Sequence, residues 1–529
     1  MLRAAAAPGS VDLPPAEAPR HVSPWRLLGL LTAVAAVLVA LVGYVDVRGT
    51  TAVTDPVTDS TFSAYVDVTA TPLYPFENPQ SARPTDAVLG FVVSAPDSAC
   101  APSWGAAYSL DEAADALDLD RRVARLQQLG GDVAVSFGGA ANSELAIGCT
   151  DPEALTAAYR SVIERYSSTT IDLDIEGAES SAPDVVARRS ASIAALQDGE
   201  ERAGRSVDVW LTLPVGPGGL TSEGSAVLAA ALAAHVRLAG VNAMVMDYGE
   251  PMPVGSGMAD LAQLSLTALQ EQLRSAFDAI GTPLSAFDAW QLVGATPMIG
   301  QNDTADEIFG LADARQLVAF ARDVDVRRIS MWSANRDQGC GPNYPDLRVV
   351  SDECSGVTQD VGGFAAVLRR FIQSGVLDIG PTDRPTSPST ATEVAPPSSS
   401  AADDPATSPY AIWNDHQAYE EGTKIVWLRN VYQAKWYSVG SRPDTPVSDV
   451  WQTPWTLLGP VMPGEHPVSL PTVSAGTYPR WDAGSAYVAG SRVVRNHVGY
   501  QAKWWTRGDV PGAILDSPYD SPWRLIDAD

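Results

Sequence analysis

From residue 62 to residue 373 the chain alternates between two hydrophobic periods. Short runs of β-branched and aliphatic residues, bounded by Gly, Ser and Asp, read as buried strands: Phe62–Thr69, Ala87–Ser94, Asp132–Phe137, Thr169–Glu176, Val207–Leu213, Val241–Tyr248, Trp290–Thr296 and Arg327–Trp332. Between most of them, apolar residues recur three and four positions apart, which predicts amphipathic helices over Leu117–Leu129, Pro152–Tyr166, Ala182–Ala203, Ser225–Ala239, Ser265–Ile280 and Leu311–Arg322. Eight strands with intervening helices in roughly 310 residues predict an α/β fold, a parallel (β/α)8 TIM barrel. A doubly wound open sheet is the alternative, but the glycine-rich phosphate turn of that fold is missing.

One strand breaks the apolar pattern. Residues 171–176 read Ile-Asp-Leu-Asp-Ile-Glu. With a period of two, Asp172, Asp174 and Glu176 share one face, successive carboxylates roughly 7 Å apart, while Leu173 and Ile175 take the other. An exposed edge strand would solvate such a face, but the surrounding pattern is that of a strand buried on both sides. Crowded, partly buried carboxylates repel one another, so at least one should keep its proton near neutral pH, as a general acid must.

Barrel enzymes carry their active residues at the C-terminal ends of the strands. That test also selects Ser136, Gly138 and Gly139 at the third strand, Met244, Met246, Asp247 and Tyr248 at the sixth, and Trp332 at the eighth. Taken singly, each has a plainer reading: a glycine turn, methionine packing, a satisfied Asp-Tyr pair, a core tryptophan. Their shared position favours a site.

Beyond the barrel, residues 380–409 turn rich in Pro, Ser, Thr, Ala and Asp, the composition of a linker. A repeat follows. Trp413, Tyr419, Gly422, Val426, Tyr432, Gln433, Ala434, Lys435, Trp436 and Trp455 recur 68 residues later as Trp481, Tyr487, Gly490, Val494, Tyr500, Gln501, Ala502, Lys503, Trp504 and Trp523. Units of about 50 residues cannot bury every ring. We assign Trp436 and Trp504 to a small core, and expect Tyr437 and Trp505 to be exposed, where flat rings stack on flat apolar faces such as those of pyranoses. Two such all-β units would add avidity on a repetitive polymer.

Charge and composition narrow the partner. A net charge of -28 disfavours nucleic acid and other polyanions, so a neutral polymer fits better. The five histidines are scattered, no Cys/His cluster has metal-ligand spacing, and no nucleotide-binding glycine motif is present, so neither metal nor cofactor is expected. Leu27–Val45 is an uncharged run of about 19 residues preceded by Arg3, Arg20 and Arg26, which predicts a membrane anchor with its N-terminus inside, or a signal segment if cleaved. The four cysteines suit an extracellular setting as two disulfides; of three possible pairings we expect Cys340–Cys354 and Cys100–Cys149. The organisation is then an inner segment (1–26), the apolar run (27–45), a stalk (46–61), the barrel (62–375), a linker (376–409), and two small modules (410–460 and 479–529) joined by 461–478. A monomer is expected.

On these residues the chain resembles the family 18 glycoside hydrolases, the chitinases, whose strand-four signature is Asp-x-x-Asp-x-Asp-x-Glu. Here it reads Thr169-Thr170-Ile171-Asp172-Leu173-Asp174-Ile175-Glu176. Ser136-Phe137-Gly138-Gly139 is similar to the family's Ser-x-Gly-Gly, Met244-Val245-Met246-Asp247-Tyr248 to its Met-x-Tyr-Asp, and Trp332 to its strand-eight tryptophan. The repeats resemble small chitin-binding modules with an Ala-Lys-Trp-aromatic core. The resemblance implies substrate-assisted, retaining hydrolysis of N-acetylglucosamine polymers, an exception to the two-carboxylate scheme. Glu176 would be acid and then base, Asp174 would orient the substrate acetamide, and Asp172 would support Asp174. Trp332 would floor the sugar subsite, and Ser136, Met246, Asp247 and Tyr248 would line it, with Tyr248 supplying the hydroxyl displaced by Met246. Thr169 departs from the signature's first Asp, from which a change in charge tuning around Asp172 is expected. The other readings are an endo-β-N-acetylglucosaminidase acting on glycoprotein glycans and a non-catalytic chitin-binding surface protein.

Overall fold

The computed structural model describes residues 60–78, 86–249, 256–342, 349–372, 403–447, 450–467, 473, 476–495, 498–512 and 521–526. The apolar run Leu27–Val45 and most of the expected linker lie outside them. Among the described residues no helix is long and apolar enough to cross a membrane.

Eight parallel strands form the core: β1 Thr61–Asp67, β2 Asp86–Ala95, β3 Val133–Gly138, β4 Thr170–Asp174, β5 Asp208–Gly216, β6 Leu238–Met244, β7 Val293–Thr296 and β8 Arg328–Ile329. Each pairs with its sequence neighbour, and β1 pairs with both β2 and β8, so the ring closes. This is the expected (β/α)8 barrel. Helix-facing residues such as Leu89, Val135, Leu173, Leu211, Val241 and Ile329 are fully buried, each contributing roughly 1.5–3 kcal/mol on leaving water. The helix Pro152–Arg165 shows how local chemistry sets the joints: the Asp151 side chain accepts from the Glu153 and Ala154 amides, and Pro152 occupies the first turn, where no amide is needed.

The structure departs from expectation in several places, the sixth strand, for one, ending at Met244 instead of Tyr248. The seventh strand starts at Val293, because Ala286–Trp290 is a short helix capped by Ser285. The fourth stops at Asp174, two residues before Glu176, where the ladders to β3 and β5 end. A hairpin, Ser98–Trp104 with Tyr108–Ser109, lies antiparallel on β2. The disulfides are Cys100–Cys149, which ties this hairpin to the helix layer, and Cys340–Cys354, as expected.

The two repeats share one topology. Lys424–Trp427, Asn430–Ala434 and Trp455–Pro460 form one antiparallel sheet, matched by Arg492–Arg495, Val498–Ala502 and Trp523–Leu525. Trp455 packs edge-on to Tyr419 with centroids 5.2 Å apart, and Trp523 to Tyr487 at the same distance. These rings make the small cores, so Trp436 and Trp504 are displaced from them. At 40% and 44% exposed they stand outside, against expectation, beside Tyr437 (58%) and Trp505 (62%). Each indole lies under the ammonium of the preceding lysine, Lys435 at 5.2 Å and Lys503 at 4.7 Å.

The first repeat is docked on the barrel. Lys424 pairs with Asp118 at 2.6 Å, and Asn78 donates to the Leu457 carbonyl at 2.8 Å. Arg121, on the helix Leu119–Gln128, donates to the Pro460 carbonyl at 2.6 Å and to Glu465. Gly459 has φ +146°, and a Cβ there would lie 2.5 Å from the Arg121 carbonyl oxygen. In the second repeat Arg492 stands at the position of Lys424 and Asp527 at that of Gly459. We expect Arg121→Glu to lower the calorimetric Tm by about 4 °C or more, since it sets like charges together in a buried contact. Adding Glu465→Arg should recover part of the loss. An unchanged Tm in the single variant would show that the contact does not hold the repeat.

Candidate functional site

The barrel interior is organised around Asp172, which has no solvent exposure. Tyr65 from β1 and Ser136 from β3 each donate to its Oδ2 at 2.8 Å, and Thr212 from β5 donates to its Oδ1 at 2.8 Å. Asn242 on β6 donates through Nδ2 to Tyr65 at 3.1 Å and to Thr212 at 3.0 Å, and its Oδ1 accepts from Thr296 on β7 at 2.9 Å. Arg328 on β8 reaches Asp172 Oδ1 at 3.4 Å. Burial and the charge of Asp172 push the Tyr65 hydroxyl well above its ordinary range, so it remains a donor.

Asp174 follows on the same face, also buried, and its Oδ1 has no hydrogen-bond partner among the described residues. Burial first, then the neighbouring charges of Glu176 and Asp172, raise its carboxyl well above the usual range. Glu176 lies two residues past the end of β4 in still-extended backbone, φ -122° and ψ 153°, so it keeps the parity of the row. The amide of Ile175 holds this extension by donating to the Thr212 carbonyl at 3.0 Å. Gly177, at φ +75°, then turns the chain away. Glu176 is half-buried, and burial, Asp247 and Asp303 raise its carboxyl, in that order. The expected carboxylate face therefore exists, and both Asp174 and Glu176 hold their protons more tightly than ordinary carboxyls.

The glycines after β3 are dictated by contact. Gly138 has φ +106°, and a Cβ there would stand 2.1 Å from the Asp174 carbonyl oxygen; one on Gly139, at φ +84°, would stand 2.9 Å from the Phe91 ring. The Gly139 amide donates to that same Asp174 carbonyl at 3.0 Å. Phe91 in turn packs 5.4 Å from the half-buried Trp332, whose ring also meets Tyr65 edge-on at 6.1 Å. Trp332 therefore packs on the aromatic residues above the interior network while remaining partly accessible.

Several expected residues land elsewhere. Ser136 is fully buried under Asp172, so it supports the row instead of touching a ligand. The Tyr248 hydroxyl accepts at 3.4 Å from Ser265, on the helix Met258–Ala279, so it is engaged with the helix layer and not with the carboxylates. The cause is Asp247, whose φ of +48° breaks the strand parity after β6. Asp247 itself is near enough to Glu176 to influence its charge, and its Oδ1 accepts from the Thr304 amide at 2.7 Å. Met246 lies half-buried past the end of β6. Thr169 is exposed and shares parity with Ile171 and Leu173, so the acid missing there is missing from the outer face, and Asp172 is not its neighbour. Sequence reasoning missed Tyr65, Thr212, Asn242, Thr296, Arg328 and Asp303. For all but Asp303, which lies in a loop, the available signal was a polar residue on the inward parity of a barrel strand.

Comparison with known proteins follows the same division. Residues 480–524 match carbohydrate-binding module family 5/12. The chain is 33% identical over 274 residues (51% of this chain, 29% of the relative) to the probable bifunctional chitinase/lysozyme of Escherichia coli (strain K12). It is 32% identical over 255 residues (47% of each chain) to Endochitinase 11 of Metarhizium anisopliae. The chain thus spans less than half the length of these curated relatives. Among solved structures, the catalytic domain of the hyperthermophilic chitinase from Pyrococcus furiosus superposes with a TM-score of 0.51 at 27% identity, covering 59% of this chain and 95% of that one. Fold and sequence of the barrel are similar to those of chitinase catalytic domains, and the module match falls on the second repeat.

The raised Asp174 carboxyl carries a stability consequence. The folded state binds a proton that the unfolded chain releases near pH 3.9. That contribution is complete below the unfolded value and is lost as pH rises through the folded one. Asp174→Asn should therefore gain thermal stability relative to the parent as pH rises from 4 to 8. The Tm of the variant minus that of the parent, followed across that range, checks this; a difference that stays constant or falls with rising pH would refute the assignment.

Proposed function

We propose that this chain is a chitinase that hydrolyses β-1,4-linked N-acetylglucosamine with retention of configuration, using the substrate's own acetamide as nucleophile. The observation that carries this reading is the row of Asp172, Asp174 and Glu176 on one face of β4 and its extension, with Asp174 and Glu176 both holding protons more tightly than ordinary carboxyls. In the proposed sequence Glu176 delivers its proton to the leaving glycosidic oxygen while the acetamide oxygen attacks C1. The bond to the leaving sugar breaks and a bicyclic oxazolinium forms. Asp174 accepts the acetamide N–H and balances the positive charge; its unpartnered, desolvated Oδ1 suits that part. Glu176, now ionised, takes a proton from water, which opens the oxazolinium at C1 and regenerates the acid. Trp332 receives the sugar face, and Asp247 is a hydrogen-bonding partner at the rim.

Both repeats are proposed to bind chitin. The pairs Trp436–Tyr437 and Trp504–Trp505 are exposed rings, and the family match to a carbohydrate-binding module falls on the second repeat. Trp451, 75% exposed, adds a third ring to the first repeat. Disulfides, polymer-binding modules and the apolar run Leu27–Val45 together support action outside the cell, with the chain anchored or released.

Glu176→Gln should lower kcat on chitin hexamer at least about 100-fold while binding survives, as product analysis by mass spectrometry and isothermal titration would show. Turnover equal to the parent's would remove Glu176 from the mechanism. Separately, Tyr437→Ala combined with Trp505→Ala should weaken adsorption to insoluble chitin by about tenfold, since each ring contributes roughly 0.5–1.5 kcal/mol beyond its buried area, and should leave hexamer turnover unchanged. Equal losses in both assays would mean that the rings serve folding.

A further inference from the structure

Arg328 is not part of the row, yet the interior is built to receive it. It is 2% exposed and begins β8, at the end of the strand remote from the mouth. Its Nε donates to Ser330 at 2.9 Å, and its guanidinium lies 5.0 Å from the Trp210 ring centroid and 6.0 Å from that of Tyr65. Gly240 and Gly294 make room for this layer, since a Cβ on either would stand 2.4 or 3.0 Å from the Trp210 ring. A guanidinium stays charged in any such site, and a buried one needs a carboxylate. The carboxylate within ion-pair distance is Asp172.

The hydrogen-bond directions agree. The Asn242 amide spends its two hydrogens on Tyr65 and Thr212, which frees both hydroxyl hydrogens for Asp172. Ser136 and Arg328 complete four donors on its two oxygens. A protonated Asp172 would have to displace one of them.

We propose that Arg328 is a positioning residue for the proposed hydrolysis: it fixes Asp172 as the permanently ionised member of the row, so that the row's transferable proton is confined to Asp174 and Glu176. The groups facing Asp172 are Tyr65 from β1, Ser136 from β3, Asp174 along β4, Thr212 from β5 and Arg328 from β8; Arg328 alone brings positive charge. Glu176 faces Asp174, Asp247 and Asp303, all acidic. Without Arg328, Asp172 becomes a third claimant for the proton, and the fraction of enzyme with the proton on the reacting side falls. Arg328 acts through Asp172 and does not touch the sugar. The proposal rests on the chitinase reading for its kinetic arm only.

Two measurements test it. The first needs no turnover: the Asp172 carboxyl in the unliganded parent, assigned by difference from Asp172→Asn and followed by infrared or carbon-13 NMR, should show the ionised form throughout pH 5–8. In Arg328→Met a protonated Asp172 signal should appear within that range. A protonated Asp172 in the parent would overturn the proposal even if the variant failed to fold. The second is kinetic. Arg328→Met should lower kcat on chitin hexamer at least about tenfold with KM changed by less than about threefold. Both limbs of its pH profile should move to higher pH, because removing a buried cation makes every carboxyl in the row easier to protonate. Arg328→Lys, which keeps the charge, should return the limbs towards the parent's. A lower kcat with unmoved limbs would reduce Arg328 to packing. Failure of the parent to turn over the hexamer would count against the chitinase reading and leave the spectroscopic result standing.

Discussion

A carboxylate with no access to water sits at the centre of this barrel, and the protein around it is arranged to keep it there. Asp172 collects its donors from β1, β3, β5 and β8, and two of those donors are oriented from β6 and β7. An uncompensated charge in such a place would cost several kcal/mol. The compensation depends on strand register, since a slip of one residue in any contributing strand would turn its polar side chain outward and an aliphatic one inward. The interior network therefore acts as a register lock for the ring of strands as well as a support for the residues above it.

Rigidity passes upward by close contact. The Asp174 carbonyl is held by the Gly139 amide and approached so closely by Gly138 that no side chain fits. Phe91 packs between Gly139 and Trp332, and Trp332 returns to Tyr65. A chain of packed groups thus runs from the buried carboxylate through Tyr65 to Trp332. Preorganisation of this kind is what lets a charged site work without rearranging during reaction.

Most of the fold and the acidic face were legible in the sequence, because both are carried by local period. Alternation of aliphatic strands with amphipathic helices foretold the barrel, and period two put Asp172, Asp174 and Glu176 on one face. What sequence did not show depends on pairs distant along the chain. Arg328 and Asp172 are 156 residues apart, and nothing local announces their contact. Parity failed where backbone left the strand: the positive φ of Asp247 sent the Tyr248 hydroxyl to the helix layer. Among the repeats, Trp436 and Trp504 resembled core residues in type and context, and only the closure of the small sheets on Trp455 and Trp523 showed that the core was already full.

Asp118 and Arg121 sit at the start of a helix that follows β2, and Asn78 lies in the connection after β1. Through them the first repeat is fastened to the helix layer of the barrel. The first repeat is therefore joined to the barrel by direct side-chain and backbone contacts. An appended module on a loose tether surrenders orientational freedom each time it meets its ligand. Here that freedom has been given up once, during folding, so whatever meets the exposed rings of the first repeat meets them at a fixed orientation to the barrel.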